Sequence, residues 1–170
     1  IPYDKRQGKI WFNGKNVDWS EAQVHVLSHG LHYASCVFEG IRVYDGEIFK
    51  LSEHTERLFY SAKRMGMDVP YSKEEISKYM KQIVDIQKTH NGYVRPIIWR
   101  GSEMMAISAQ KNKINVAIAT WEWGSYFDPK LKIEGIRLNI SSWRRPAPDS
   151  IPWDTKASGL YMICTLSKHE

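Results

Sequence analysis

Cysteine is almost missing from this sequence: Cys36 and Cys164 stand far apart, with no CxxC pair and no Cys/His cluster. That excludes the disulfide framework of a small secreted domain and a structural zinc site, and it fits a reducing cytoplasm. No run approaches the roughly 18 apolar residues that a membrane span needs, and the opening IPYDKRQGKIWF lacks the apolar centre of a signal peptide. Internal repeats and low-complexity tracts are also lacking. With 42% hydrophobic and 25% charged residues the composition is that of a folded globular protein rather than a disordered or collagen-like one. Methionine is missing from the first position, which is Ile1, and the final LYMICTLSKHE runs out without a Gly, Pro or Asn to stop a helix. Both ends therefore read as cuts in a longer protein. The 170 residues suffice for one domain, or one and a piece, with a core burying about 70% of the unfolded surface.

An excess of basic residues is present, 24 Lys and Arg against 19 Asp and Glu, for a net charge of +5. A surplus of that size suits an anionic partner such as phosphate, carboxylate or nucleic acid. Nucleic acid is disfavoured, because the arginines form no single stripe and no RRM or OB aromatic signature is evident. Most of the aromatic residues fall in strand patterns, where core packing accounts for them.

Two turns, Asn13-Gly14 and Asp45-Gly46, each lie between strand-like runs and predict two antiparallel hairpins. Ser52 is positioned to cap a helix that buries Leu58, Ala62 and Met65 and ends at Gly66. Ser72 with Glu75 forms a capping box for a second helix, which carries Ile76, Tyr79, Met80, Ile83 and Val84 on one face until Asn91-Gly92. Residues 93–100, 114–120 and 136–142 read as strands, the first two central in a sheet. The resulting fold class is α+β, a mostly antiparallel sheet with two helices packed on one face, followed by the truncated start of a second domain. Trp, Gly, Asp and Pro break the pattern between Glu122 and Lys132, marking a linker.

The segment HVLSHGLHYASCVFEGIRVYDG gathers His25, His29, His32, Glu39 and Gly40. His29, His32 and Glu39 offer metal-ligand chemistry, but the spacing is not that of an established site, and histidines that cap and hydrogen-bond a loop explain the letters better. Gly40 beside Phe38 permits a close approach to a ligand, or equally a bulged strand. Lys156 follows a Pro-rich excursion and precedes Ala157-Ser158-Gly159, small residues that leave room for a planar ligand. Alone in a sequence, such a lysine is ordinarily a solvated charge. To work as nucleophile or base at neutral pH it must be desolvated or stand beside another cation, for which Arg144 and Arg145 are near in sequence.

Taken together, HGLHYASCVFEGIR, SEHTERL, GYVRPIIWRG and SSWRRPAPDSIP with TKASGLY resemble the branched-chain amino acid aminotransferases, pyridoxal-phosphate enzymes of fold type IV. The likeness runs in order over nearly the whole chain. It implies that Lys156 forms the internal Schiff base with pyridoxal phosphate and moves the substrate Cα proton, that Arg57 binds the cofactor phosphate, and that Tyr161 lies near the phenolic oxygen. Phe38, Gly40, Trp123 and Tyr126 would wall the substrate pocket, and Tyr93 and Arg95 would handle substrate carboxylates. Tyr33 and Ile107 would reach the neighbouring subunit's pocket, which makes a homodimer or higher homo-oligomer the expected assembly, with amino-acid and 2-oxo-acid substrates and no metal, nucleic-acid or membrane partner. On the same footing, residues 1–119 form a small α+β domain, 120–131 an interdomain linker, and 132–170 the first segment of a larger cofactor-binding domain. The remainder of that larger domain, with the carboxylate for the pyridine nitrogen and loops of the phosphate cup, would lie beyond this chain. Trp153 and Asp154 depart from the smaller or basic residues that the family has before the lysine. The implied reaction is transamination of Leu, Ile or Val with 2-oxoglutarate. The alternatives are a D-amino acid aminotransferase, an aminodeoxychorismate lyase, or a non-catalytic basic binding module.

Overall fold

The computed structural model describes residues 1–124 and 129–170. Asn13 and Gly14 both take positive φ, the type of turn that matches strand twist, and join β1 (Lys9–Phe12) to β2 (Lys15–Asp18). A one-turn helix α1 (His29–His32) leads through Ala34, also at positive φ, into β3 (Cys36–Phe38). After a break at Glu39-Gly40 the second hairpin follows, β4 (Ile41–Tyr44) and β5 (Glu47–Ile48), turning at Asp45-Gly46. The sheet is completed by β6 (Gly92–Arg100) and β7 (Ile114–Glu122). All the pairings are antiparallel, in the order β2-β1-β7-β6-β4-β5, and β3 lies end to end with β4 along the same edge of β6.

Helices α2 (Leu51–Arg64) and α3 (Lys73–Gln87) cover one face, as the sequence predicts. The capping box of α3 is formed: Ser72 Oγ accepts from the Glu75 amide at 3.1 Å, and Glu75 Oε2 accepts from the Ser72 amide at 2.7 Å. Its face of Ile76, Met80, Ile83 and Val84 packs with Leu58 and Ala62 of α2 on Val43, Val94, Ile98, Val116 and Ile118. Trp11 joins this core, stacked on Tyr79 at 4.4 Å.

Four expectations need correction. Helix α2 begins at Leu51, after Lys50 in a left-handed conformation, so Ser52 lies inside the first turn and caps nothing. At its other end Gly66 does take positive φ, but Met67 is fully buried while Met65 is only half-buried. Helix α3 stops at Gln87, because Lys88 turns left-handed before Asn91-Gly92 is reached. The segment 136–142 has the strand pattern but no ladder partner among the described residues, and Ile136, Leu138 and Ile140 are exposed. A strand requires backbone groups to pair with, and propensity does not supply them.

Beyond β7 lie a short helix α4 (Pro129–Glu134) and, after a 3-10 turn at Ser158–Tyr161, α5 (Met162–His169). The chain returns to the sheet at residues 156 and 157. The Phe38 amide donates to the Lys156 carbonyl at 3.1 Å, Ala157 bridges Val37, and Ser158 Oγ donates to the carbonyls of Ala34 and Cys36. The edge of β3 that faces away from β6 is thereby occupied by the segment carrying Lys156.

Candidate active site

Alternation along β3 and β4 sorts the residues around the break. Val37, Glu39, Ile41 and Val43 are fully buried and point to the helix-covered side, while Phe38 and Gly40 belong to the opposite face. On that face β6 contributes Tyr93 and Arg95. Gly40 lies against Tyr93: a Cβ there would overlap the Tyr93 hydroxyl where it now stands. The close neighbour that Gly40 admits in this structure is the Tyr93 side chain.

Lys156 is fixed through its backbone on both sides, since its amide donates to Ser61 Oγ of α2 at 3.0 Å and its carbonyl accepts from Phe38. The 3-10 turn at Ser158–Tyr161 folds Tyr161 back, so that Lys156 Nζ donates to Tyr161 Oη at 2.5 Å. The ammonium lies 4.8 Å from the ring centroids of both Phe38 and Tyr161, and those rings are 4.9 Å apart. Asp154 secures the approach to the lysine by accepting from Tyr60 Oη and standing 3.5 Å from Arg64 Nε, both on α2. Asp154 therefore ties the loop to α2, while the Trp153 side chain is exposed. Arg144 and Arg145 donate to the carbonyls of Ser141 and Trp153.

Arg57 of α2 meets Glu39 with two N–H bonds, Nε to Oε1 at 2.5 Å and Nη2 to Oε2 at 2.8 Å. His54 Nδ1 is 2.8 Å from the same Oε2. Burial pushes the Glu39 carboxyl up, but the hydrogen bonds and charge of Arg57 and His54 outweigh it and hold the group below the ordinary carboxylate range. The bond to Glu39 in turn raises Arg57, against some desolvation, and the hydroxyls of Tyr161 and Tyr93 lie close enough to add to the effect.

Arg95 is held by ring faces rather than by an acid. Its guanidinium carbon is 4.6 Å from the Phe38 centroid and 5.3 Å from that of Tyr93. Its Nε is buried without a hydrogen-bond partner, and no ion pair engages it among the described residues. Trp123 packs edge-on against Tyr93 at 4.9 Å and accepts from Arg42 through its carbonyl. Tyr126 lies outside the described residues. Tyr33 and Ile107 are not gathered with Lys156: Tyr33 donates to the Met105 carbonyl at 3.2 Å, and Ile107 projects from the same loop, 87% exposed. A cavity of about 620 Å³ on the uncovered sheet face is lined by Phe12, Ile97, Trp99, Ala117 and Met162, and by Arg95.

The histidines follow the loop reading. His29 contacts Ser35 Oγ and the Ala106 carbonyl, and His32 the Val26 carbonyl, while Glu39 is committed to Arg57 and His54. Cys36 is buried, which pushes its thiol up to about 11 despite a bond from Ser158, so it is no nucleophile at neutral pH.

A family model described as amino-transferase class IV matches residues 36–170, which contain Phe38, Arg57, Arg95, Lys156 and Tyr161. The chain belongs to the class IV aminotransferase family. It is 39% identical to the branched-chain-amino-acid aminotransferase of Pseudomonas aeruginosa over 97% of this chain and 55% of that protein. Its identity to the enzyme of that name from Escherichia coli is 38%, over 95% of this chain and 54% of the relative. Among solved structures, the branched-chain aminotransferase from the thermophilic archaeon Thermoproteus uzoniensis with norvaline superposes with a TM-score of 0.87 at 37% identity, over 95% of this chain and 55% of that one. A crystal structure of a branched-chain amino acid aminotransferase with pyridoxamine 5'-phosphate superposes with a TM-score of 0.91, also at 37% identity, over 96% of this chain and 55% of that one. The chain thus spans about half the length of the curated relatives it matches.

For a class IV aminotransferase chain, the most informative residue that sequence reasoning passed over is Glu39, weighed only as a metal ligand. The signal was present in the alternation of CVFEGIRVY, which places a carboxylate where Val37, Ile41 and Val43 demand a hydrophobe. Ser61, Tyr60 and Arg64, which seat the lysine loop on α2, carried no signal, since their partners are distant in sequence.

Gly40→Ala tests the contact with Tyr93. The added methyl displaces the end of a half-buried side chain rather than backbone, so the melting temperature should fall by less than about 4 °C, equivalent to roughly 1 kcal/mol. Tyr93 must nevertheless leave its place against Trp121 and Trp123, and tryptophan fluorescence should change. An unchanged emission spectrum would refute the assignment.

Proposed function

We propose that the full-length protein is a pyridoxal-phosphate-dependent aminotransferase exchanging amino groups between branched-chain L-amino acids and 2-oxoglutarate. The observation that carries the reading is the placement of the Lys156 amine on Tyr161 Oη between two aromatic rings. The residues present fit the cofactor. Arg57 has an Nη1 with no hydrogen-bond partner among the described residues, suited to a phosphate, and Ala157, Ser158 and Gly159 add little bulk beside the lysine.

When bound, pyridoxal phosphate supplies the electron sink that makes the substrate Cα proton acidic. The chain does the rest. Lys156 Nζ takes the proton from the substrate Cα and, as its conjugate acid, delivers it to a carbon other than the one it left, since return to Cα would only regenerate the starting amino acid. Tyr161 Oη holds that nitrogen in reach, and such positioning matters because proton transfer needs the heavy atoms within about 3 Å. Arg57 binds the phosphate and Phe38 forms a ring wall. Arg95 receives the acidic side chain of glutamate or 2-oxoglutarate, whereas the neighbouring rings of Phe38, Tyr93 and Trp123, with Tyr126, accept an aliphatic side chain. The relatives' names favour branched-chain substrates over those of the other fold type IV enzymes.

The same reading takes residues 1–119 as the small domain, 120–131 as the linker and 132–170 as the start of the larger domain. It takes the assembly as a homodimer in the cytoplasm. The apolar sheet face not covered by α2 and α3 and the exposed Tyr33 and Ile107 support contact with a second subunit. No helix among the described residues is long and apolar enough to cross a membrane.

Borohydride reduction of the full-length protein with pyridoxal phosphate should leave a pyridoxyl adduct on Lys156, located by peptide mass. An adduct on another lysine, or none, would overturn the reading.

A further inference from the structure

Glu39 is the one carboxylate in the helix-facing register of the β3–β4 edge, fully buried between Val37 and Ile41. A buried anion is costly unless paired, and an apolar side chain of similar size would serve a core as well or better. Its pairing is unequal. Glu39 has no exposed surface, whereas the side chain of Arg57 is 51% exposed and that of His54 21%. The carboxylate is thus sunk beneath a cation that reaches the surface near the hydroxyls of Tyr161 and Tyr93. It also receives the Gly40 amide at 3.3 Å, so both its oxygens are occupied by groups at the edge of the site.

The geometry of the fork matters. Glu39 takes the Nε and Nη2 edge of Arg57, His54 is bound to the oxygen that Nη2 shares, and Nη1 is left without a partner among the described residues. A guanidinium is planar, so fixing one edge fixes the direction of the other. A free arginine side chain must lose several rotors' worth of freedom when it binds a ligand, and one already held by its opposite edge loses far less.

On the reading of Lys156 as a pyridoxal-phosphate lysine, we propose that Glu39 is a positioning residue: it grips one edge of Arg57 from inside the protein and so aims Nη1 at the cofactor's phosphate, with His54 steadying the shared carboxylate oxygen. The arrangement explains why an arginine stands at residue 57. A lysine paired with Glu39 would have no second edge to offer.

The test compares two ligands that differ only in the phosphate. Apoprotein of full length is titrated with pyridoxal phosphate and with pyridoxal, and the ratio of the two affinities reports the phosphate contact alone. Glu39→Gln should weaken pyridoxal phosphate by about 10- to 100-fold, in line with loss of a well-placed charge-assisted hydrogen bond, and change pyridoxal by less than about twofold. A merely structural role would weaken both ligands alike and leave the ratio unchanged. Arg57→Lys keeps a cation opposite Glu39 and should lose the phosphate preference to a similar extent, which keeps the idea testable if Glu39→Gln does not fold. The double variant should lose little more than either single one, because the two residues act as a unit. A wild-type protein that binds pyridoxal as tightly as pyridoxal phosphate would overturn the cofactor-site reading and the proposal with it. A wild type that prefers the phosphate, with that preference intact in Glu39→Gln or, failing its folding, in Arg57→Lys, would overturn the positioning role alone.

Discussion

Lys156→Ala in the full-length protein should abolish transamination, with turnover reduced by at least about 1,000-fold, while the melting temperature changes by only a few degrees. The size of the catalytic loss follows from the two jobs assigned to one amine, anchoring the cofactor and carrying the substrate proton, since general-base catalysis alone contributes about 10²–10⁴-fold. The small structural effect follows from where the residue is held. Its amide to Ser61 Oγ and its carbonyl to the Phe38 amide are backbone contacts that alanine retains. Only the Nζ bond to Tyr161 and the contacts with two ring faces are removed, at the edge of the core. Steady turnover within tenfold of wild type would correspond to about 1.4 kcal/mol of barrier, too little for the proposed role, and would remove Lys156 from it.

Local chemistry explains why parts of the molecule were readable from sequence. The α3 capping box and the Asn13-Gly14 and Asp45-Gly46 turns have their determinants within a few residues, and each formed as expected. The 136–142 segment failed because a strand is completed by a neighbour, and none of the described residues provides one. Strand β3 surfaces in the sequence only as the bulged-strand alternative at Gly40, because it is only Cys36–Phe38, bounded by the left-handed Ala34 and the break at Gly40.

The site shows the same division. Spacing alone presents Lys156 as one more surface charge, and it was the resemblance of the surrounding motifs that singled it out. The fold then brings Tyr161, Phe38 and Ser61 to it through a 3-10 turn, a strand edge and a helix. The arginines nearest in sequence, Arg144 and Arg145, turn to carbonyls instead. Proximity along the chain was a poor guide here, because the segment around Lys156 docks on β3 and α2 rather than on its own neighbours. Glu39 was within reach of pattern reading, yet a carboxylate near histidines suggests a metal until its place in the alternation is weighed.

Arg95→Leu should separate the two substrate classes: kcat/KM for glutamate and 2-oxoglutarate should fall by about 10- to 100-fold more than that for leucine. The guanidinium stands over the Phe38 and Tyr93 rings with a buried Nε unpartnered and no ion pair among the described residues, so its charge is available to an incoming acid. A charge-assisted hydrogen bond in such a half-buried place contributes roughly 1.5–3 kcal/mol, and only a substrate with a second carboxylate forms it on this assignment. Leucine, carrying an aliphatic side chain, should tolerate the substitution, because the new leucine at residue 95 continues the apolar surface of Phe38 and Tyr93. The half-reactions must be measured separately, since a steady-state rate that includes 2-oxoglutarate would register the loss whichever amino donor is used. Equal losses for leucine and glutamate would mean that Arg95 binds the α-carboxylate common to all substrates, or that it serves to hold Phe38 and Tyr93 in place. A shift in tryptophan fluorescence through Tyr93 and its neighbour Trp123 would accompany the second case and not the first.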